Sequence, residues 1–137
     1  MSRILGIDYG LKRIGLALSD PLGIIASPYK TIPNSDPRSV LEVLQTIIQD
    51  KDVNKIVLGL PLGMKGQETE QTERTRKFFS LLETLAIPVE FQDERLSSVT
   101  AKKSLIQQDI KTGHNKALVD QRAAAIFLQQ YLDIHSR

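Results

Sequence analysis

The stretch RILGIDYGLKRIGLALSD, residues 3–20, decides the fold, because it ends a buried-type strand on a carboxylate where a structural strand would carry a hydrocarbon. Ile4, Leu5, Gly6 and Ile7 make the nearly continuous apolar run expected of a central strand covered on both faces, and Asp8 stands at its end. Residues 9–12 then turn the chain around Gly10. From Arg13 to Ser19 the sequence alternates strictly: Ile14, Leu16 and Leu18 fall on one face, Gly15, Ala17 and Ser19 on the other. That is the period-two pattern of a returning antiparallel strand, so the stretch reads as a hairpin. Asp8 shares its face with Gly6 and Ile4, and the small face of the second strand is its natural partner. A carboxylate placed there loses hydration unless a metal ion, an arginine or backbone amides meet it. An aspartate that merely starts a turn gives the same local sequence.

The chain has 137 residues, enough for one domain with a real core and too few for two substrate-binding lobes. Eighteen Lys and Arg against sixteen Asp and Glu leave a net charge of +2, a slight basic lean that does not by itself argue for nucleic acid. No apolar run approaches the length of a membrane span, and no basic-then-apolar signal opens the chain. The absence of Cys excludes disulfides, thiolate zinc sites and a cysteine nucleophile. A cytoplasmic location with no membrane partner is the expectation.

After the hairpin, residues 24–31 are expected to form a third strand at the sheet edge, because Pro28 cannot donate to a ladder. Asp36 followed by Pro37 predicts a helix start, with Val40, Val43, Leu44, Ile47 and Ile48 as its apolar stripe. KIVLGL, residues 55–60, reads as a second buried strand, parallel to the first through a right-handed crossover. The glycine-rich loop 61–66 leads into a long helix over 67–85, polar all round in its first half and packing through Phe78, Phe79, Leu81, Leu82 and Leu85. A polar helix start at the strand ends suits a groove wall, and equally a solvated, salt-bridged surface.

Residues 88–92 form a short fifth strand, with Asp93, Glu94 and Arg95 at its end and Ser97 as the cap of a helix running to about Gln108. Ligands bind at the carboxyl ends of strands in open α/β sheets, so both strand-end acids lie on the functional edge. Asp93 and Glu94 point in opposite directions, so only one faces the groove. The basic, Gly-containing loop 109–116 suits phosphate contact, as it suits plain solvation. In the last helix, 117–134, Asp120 shares a stripe with Ala123, Ala124, Phe127, Leu128 and Tyr131. The alanines there, like Gly6, Gly15 and Ala17 on the hairpin, remove bulk, so helix and hairpin approach closely and bring Asp120 toward Asp8. An aspartate serving the first-turn amides of its own helix is the competing reading. Asp8, Glu94 and Asp120 together make a hard, all-oxygen site suited to Mg²⁺ or Mn²⁺ and not to zinc. The chemistry of such sites is phosphodiester hydrolysis, with the cation holding the attacking water and steadying the leaving oxygen.

The segments GIDYGLKRIGLALSD, GLPLGMKG followed by QTERTRKF, DERLSS, and VDQRAAAIFLQQYL resemble, in order, the YqgF/RuvX family, a bacterial group with a ribonuclease H-like fold. The resemblance spans nearly the whole chain. It implies a mixed five-stranded sheet, antiparallel in its first three strands and then parallel, flanked by helices within a single domain. It implies a nuclease of Holliday junction resolvase-like character, linked to 5′-end maturation of pre-16S rRNA. Asp8, Glu94 and Asp120 match the family's acidic site, and Lys12, Arg13, Gln71, Arg74 and Arg95 match polar positions suited to backbone contacts. Structured RNA, branched DNA and a pre-ribosomal particle are the implied partners, with the chain a monomer or weak homodimer. Two other readings accompany it: a ribosome-assembly factor that binds nucleic acid without cutting it, and a fragment of an actin- or hexokinase-like nucleotide binder. Many ribonuclease H-like nucleases carry an acid at the end of the fourth strand, where this chain has Gly59, Leu60 and Pro61. With that strand between the first and fifth, Asp8 and Glu94 stand two strand spacings of about 4.8 Å apart, and the glutamate must lean inward.

Overall fold

A computed structural model describes residues 2–93 and 116–135. Its centre is β1 (Arg3–Tyr9), hairpinned to β2 (Arg13–Ser19) with Asp8 opposite Gly15 and Gly6 opposite Ala17. β3 (Ala26–Pro33) lies at the edge beside β2, β4 (Val53–Leu60) runs parallel to β1 on its other side, and β5 (Val89–Asp93) runs parallel to β4. The order is therefore β3-β2-β1-β4-β5, antiparallel through the first three strands and parallel thereafter, as the sequence implied. The carboxyl ends of β1, β4 and β5 share one edge with the start of β2.

The sheet separates two apolar layers. On one face Leu5, Ile7, Ile14, Leu16, Ile56 and Leu58 pack against α1 (Pro37–Asp50) and α2 (Glu70–Leu82). On the other, Ala17 and Val57 pack against Ala124, Phe127, Leu128 and Tyr131 of α3 (Lys116–His135). The alternation of β2 is thus spent on two different neighbours, bulky residues toward α1 and α2, small ones toward α3.

Local chemistry sets the element limits. Asp36 caps α1 by accepting from Ser39 N at 3.1 Å, with Pro37 at the first helical position. Four of the five residues expected on its stripe are buried, whereas Val43 is 39% exposed at the margin. β3 begins at Ala26 and not at 24, because the Asp20 carboxylate takes the amides of Ile24 and Ile25 at 2.7 and 2.9 Å and holds them in a turn. The second long helix starts at Glu70 and not at 67: Thr69 and Thr72 form a reciprocal capping box, and the last turn, Glu83–Leu85, tightens to a 3-10 helix. Thr72 and Thr75, in the half expected to be polar all round, are fully buried. The helix expected from Ser97 and all of the loop expected over 109–116 but Lys116 lie outside the described residues, and Lys116, expected in that loop, opens α3 instead. Among the described residues no helix is long and apolar enough to cross a membrane.

Candidate active site

Gly15 seats α3 on β2. A Cβ built on it would lie 2.4 Å from the carbonyl carbon and oxygen of Asp120 and 2.8 Å from its Cβ, so α3 rests on the bare backbone of β2. Gly15 is the cross-strand partner of Asp8, and side chains of such a pair leave the sheet on the same face. Gly6, two residues before Asp8, faces α3 in the same way, its missing Cβ falling 3.1 Å from Leu128 Cβ and 3.3 Å from Ala124 O. Asp8 therefore emerges beside the first described turn of α3, where Asp120 stands.

Asp120 is less than one-quarter exposed, and burial pushes its carboxyl above the ordinary aspartate value, the Arg13 guanidinium opposing that shift. Arg13 Nε donates to Asp120 Oδ2 at 2.9 Å. The family resemblance makes Arg13 a candidate for backbone contacts, and in the structure its guanidinium rests against an acid. The signal was present, since Arg13, Gly15 and Ala17 occupy alternate positions of β2 and share the α3 face.

The hairpin turn that carries Lys12 is stitched down at several points. Gly10 N donates to Arg13 O at 2.9 Å, Asn34 N to Lys12 O at 2.9 Å, and Asn34 Nδ2 to Gly10 O at 2.7 Å. Lys12 itself is exposed at the tip. On the other flank Gln71 Nε2 donates to Tyr9 O at 2.7 Å and its Oε1 accepts from Arg74 Nε at 3.2 Å, while Thr72 Oγ1 donates to Pro61 O. The start of α2 is thereby fixed to the ends of both β1 and β4. Tyr9 and Phe78 stack at 4.2 Å beneath this clamp. Arg74, 40% exposed, also meets Glu70 at 3.6 Å and keeps its outer edge toward solvent.

Of the eight residues singled out from the sequence, Asp8, Lys12, Arg13, Gln71, Arg74 and Asp120 gather on one sheet edge. Glu94 and Arg95 lie outside the described residues. β4 does lie between β1 and β5, and it ends without an acid. Among the described residues no three acidic, histidine or cysteine side chains converge on a metal-sized space. Asp8, across the ladder from Gly15, and Asp120, seated on it, offer only carboxylate oxygen, a donor chemistry that fits a hard divalent cation and not a thiophilic one.

Residues 2–134 match the family described as RuvX: Holliday junction resolvase. A protein of Endomicrobium trichonymphae named "Putative pre-16S rRNA nuclease" is 48% identical, the match covering 99% of each chain. A Clostridioides difficile protein of the same name is 46% identical over 96% of this chain and 94% of its own. Among solved structures, T. thermophilus RuvC bound to a Holliday junction superposes with a TM-score of 0.58 at 14% identity, covering 99% of this chain and 96% of that one. The Fowlpox virus resolvase, also in complex with Holliday junction DNA, gives 0.62 at 12% identity, covering 98% and 99%. These structures share the fold, a ribonuclease H-like sheet. A match over nearly the whole length, with relatives close to half identical, means that the chain belongs to the RuvX family of Holliday junction resolvase-type nucleases.

Proposed function

We propose that this chain is a single-domain, divalent-metal-dependent endonuclease that cuts structured nucleic acid, with the 5′ end of pre-16S rRNA as its working substrate. The observation that carries this reading is the seating of Asp120 on Gly15, directly across the hairpin from Asp8. That seating puts two acidic residues from distant parts of the chain on the sheet edge where α/β proteins bind ligands, which supports the reading. The names of the close relatives support RNA processing, and the resolvase likeness supports recognition of branched or folded duplexes.

In this reading Asp8, Asp120 and Glu94 would hold Mg²⁺ or Mn²⁺, which when bound supplies charge against the phosphate and lowers the pKa of a coordinated water. The protein's own groups do the rest. Lys12 at the hairpin tip and Arg74 on α2 flank the acids and meet backbone phosphates, joined by Arg95. Gln71 is a positioning residue that holds α2 against the end of β1. The work would be done in the cytoplasm, on a pre-ribosomal particle, by a monomer or weak homodimer.

The test is cleavage of a pre-16S stem and a four-way DNA junction by purified protein with Mn²⁺ or Mg²⁺. Asp8→Asn should abolish cutting, and cutting that persists in that variant would refute the assignment. A second reading, an rRNA-binding assembly factor without cleavage, draws on the missing acid at the end of β4. Tight stem binding with no cutting under any divalent cation would select it.

A further inference from the structure

Asp120 already has a cation. Arg13 Nε lies 2.9 Å from its Oδ2, with the two side chains 38% and 23% exposed. Among the described residues the contact uses Nε to one oxygen, and not the two-pronged fork that makes an arginine–carboxylate pair strong. A partly exposed, single-contact pair is weak and exchangeable. Yet a guanidinium against one ligand oxygen opposes a divalent ion twice: it occupies the oxygen and repels the charge. The same guanidinium stands at the first residue of β2, next to exposed Lys12, on the edge where nucleic acid would lie. A phosphate is a better partner for it than one carboxylate oxygen, since its planar donors match two phosphate oxygens at once.

We propose that Arg13 gates the cation site: in the free protein it neutralises Asp120 and keeps divalent affinity low, and an RNA phosphate draws it away, releasing that carboxylate to the ion. Cation and RNA then bind with positive coupling, each raising the affinity for the other. The site loads fully only with substrate present, which guards against cutting by a pre-loaded enzyme. This inference rests on Asp8 and Asp120 being cation ligands, as proposed above.

The experiment is titration of Mn²⁺ into RNA-free protein, followed by the electron paramagnetic resonance signal of unbound Mn²⁺. Arg13→Gln should bind Mn²⁺ more tightly than wild type, on the order of tenfold. Arg13→Lys, which keeps the charge, and Lys12→Gln, which removes a neighbouring charge that does not touch Asp120, should both stay near wild type. Equal or weaker binding in Arg13→Gln overturns the gate, as does a gain in Lys12→Gln of the same size. Asp120→Asn separates the two proposals: wild-type Mn²⁺ binding in that variant means that the cation site itself is misplaced. A second measurement needs no variant. The Arg13 Nε–H resonance should shift when a stem-loop RNA is added in EDTA, and a resonance that does not move refutes the transfer to phosphate.

Discussion

Gly15 has no side chain, and that absence lets the backbone of Asp120 rest on β2 across the ladder from Asp8. Any Cβ at this position would press on the backbone of Asp120 at 2.4 Å, and backbone against backbone leaves no flexible side chain to give way. Gly15→Val should therefore cost about 1–3 kcal/mol through overpacking, read as a fall of several degrees in Tm. Nuclease activity should fall further than the stability loss explains, because α3 is lifted off Asp8's neighbour. Asp120 makes the opposite prediction. Its folded-state pKa is raised above the unfolded value of 3.8, so its favourable contribution is present below that value and is lost as pH rises through the folded pKa. Asp120→Asn removes that penalty. Its Tm should match wild type near pH 3.5 and equal or exceed it at pH 7, while activity drops more than about 100-fold, beyond what outer-shell substitutions at metal sites cost. A variant that unfolds at pH 7 would mean that Arg13 needs Asp120 more than burial opposes it.

At the scale of elements, the start of α2 is a fastener between strand ends. Thr72 is fully buried, donates to Pro61 O, and closes the capping box by accepting from Thr69 N at 3.0 Å. Thr72→Val keeps the shape and removes both bonds, so it should cost about 1–2 kcal/mol in chemical denaturation. A cost below about 0.3 kcal/mol would show that α2 is held by its apolar stripe alone. At the other end of the sheet, α3 is pinned where Tyr131 Oη donates to the Glu90 carboxylate and Lys55 Nζ reaches both, 3.0 Å from Tyr131 Oη and 2.9 Å from Glu90. Tyr131, then Lys55, hold the Glu90 carboxyl below its ordinary value. A depressed carboxyl pKa stabilises the fold above the unfolded value of 4.5 and ceases to do so as pH falls through the folded pKa. Tyr131→Phe should lose about 0.5–1 kcal/mol at pH 7, a modest figure because Glu90 is partly exposed and solvent screens it. The difference from wild type should narrow as pH falls below 4.5, leaving the part owed to Lys55; a difference constant with pH would assign the loss to packing.

Across the whole molecule, what the sequence disclosed was what periodicity encodes. The hairpin, the edge position of the proline-bearing third strand, the parallel return of β4 and the two-sided burial of the sheet all follow from alternation, helical stripes and caps. The approach of α3 to the hairpin also followed, from matching small residues. What escaped was set by side chains choosing partners. Asp20 captured two amides and delayed β3, and Thr72 turned inward because Pro61 O needed a donor. Arg13 met an acid 107 residues away along the chain, a pairing no local window contains although the shared face was readable. The missing acid on β4 was visible from the start, and that strand does lie between β1 and β5.

The most direct test is the location of a cation. Crystals grown with Mn²⁺ and a stem-loop RNA and measured at the manganese edge should give an anomalous peak within about 2.0–2.4 Å of carboxylate oxygens from both Asp8 and Asp120. A peak bound elsewhere, or one touching neither side chain, would contradict the convergence on which the proposed chemistry depends.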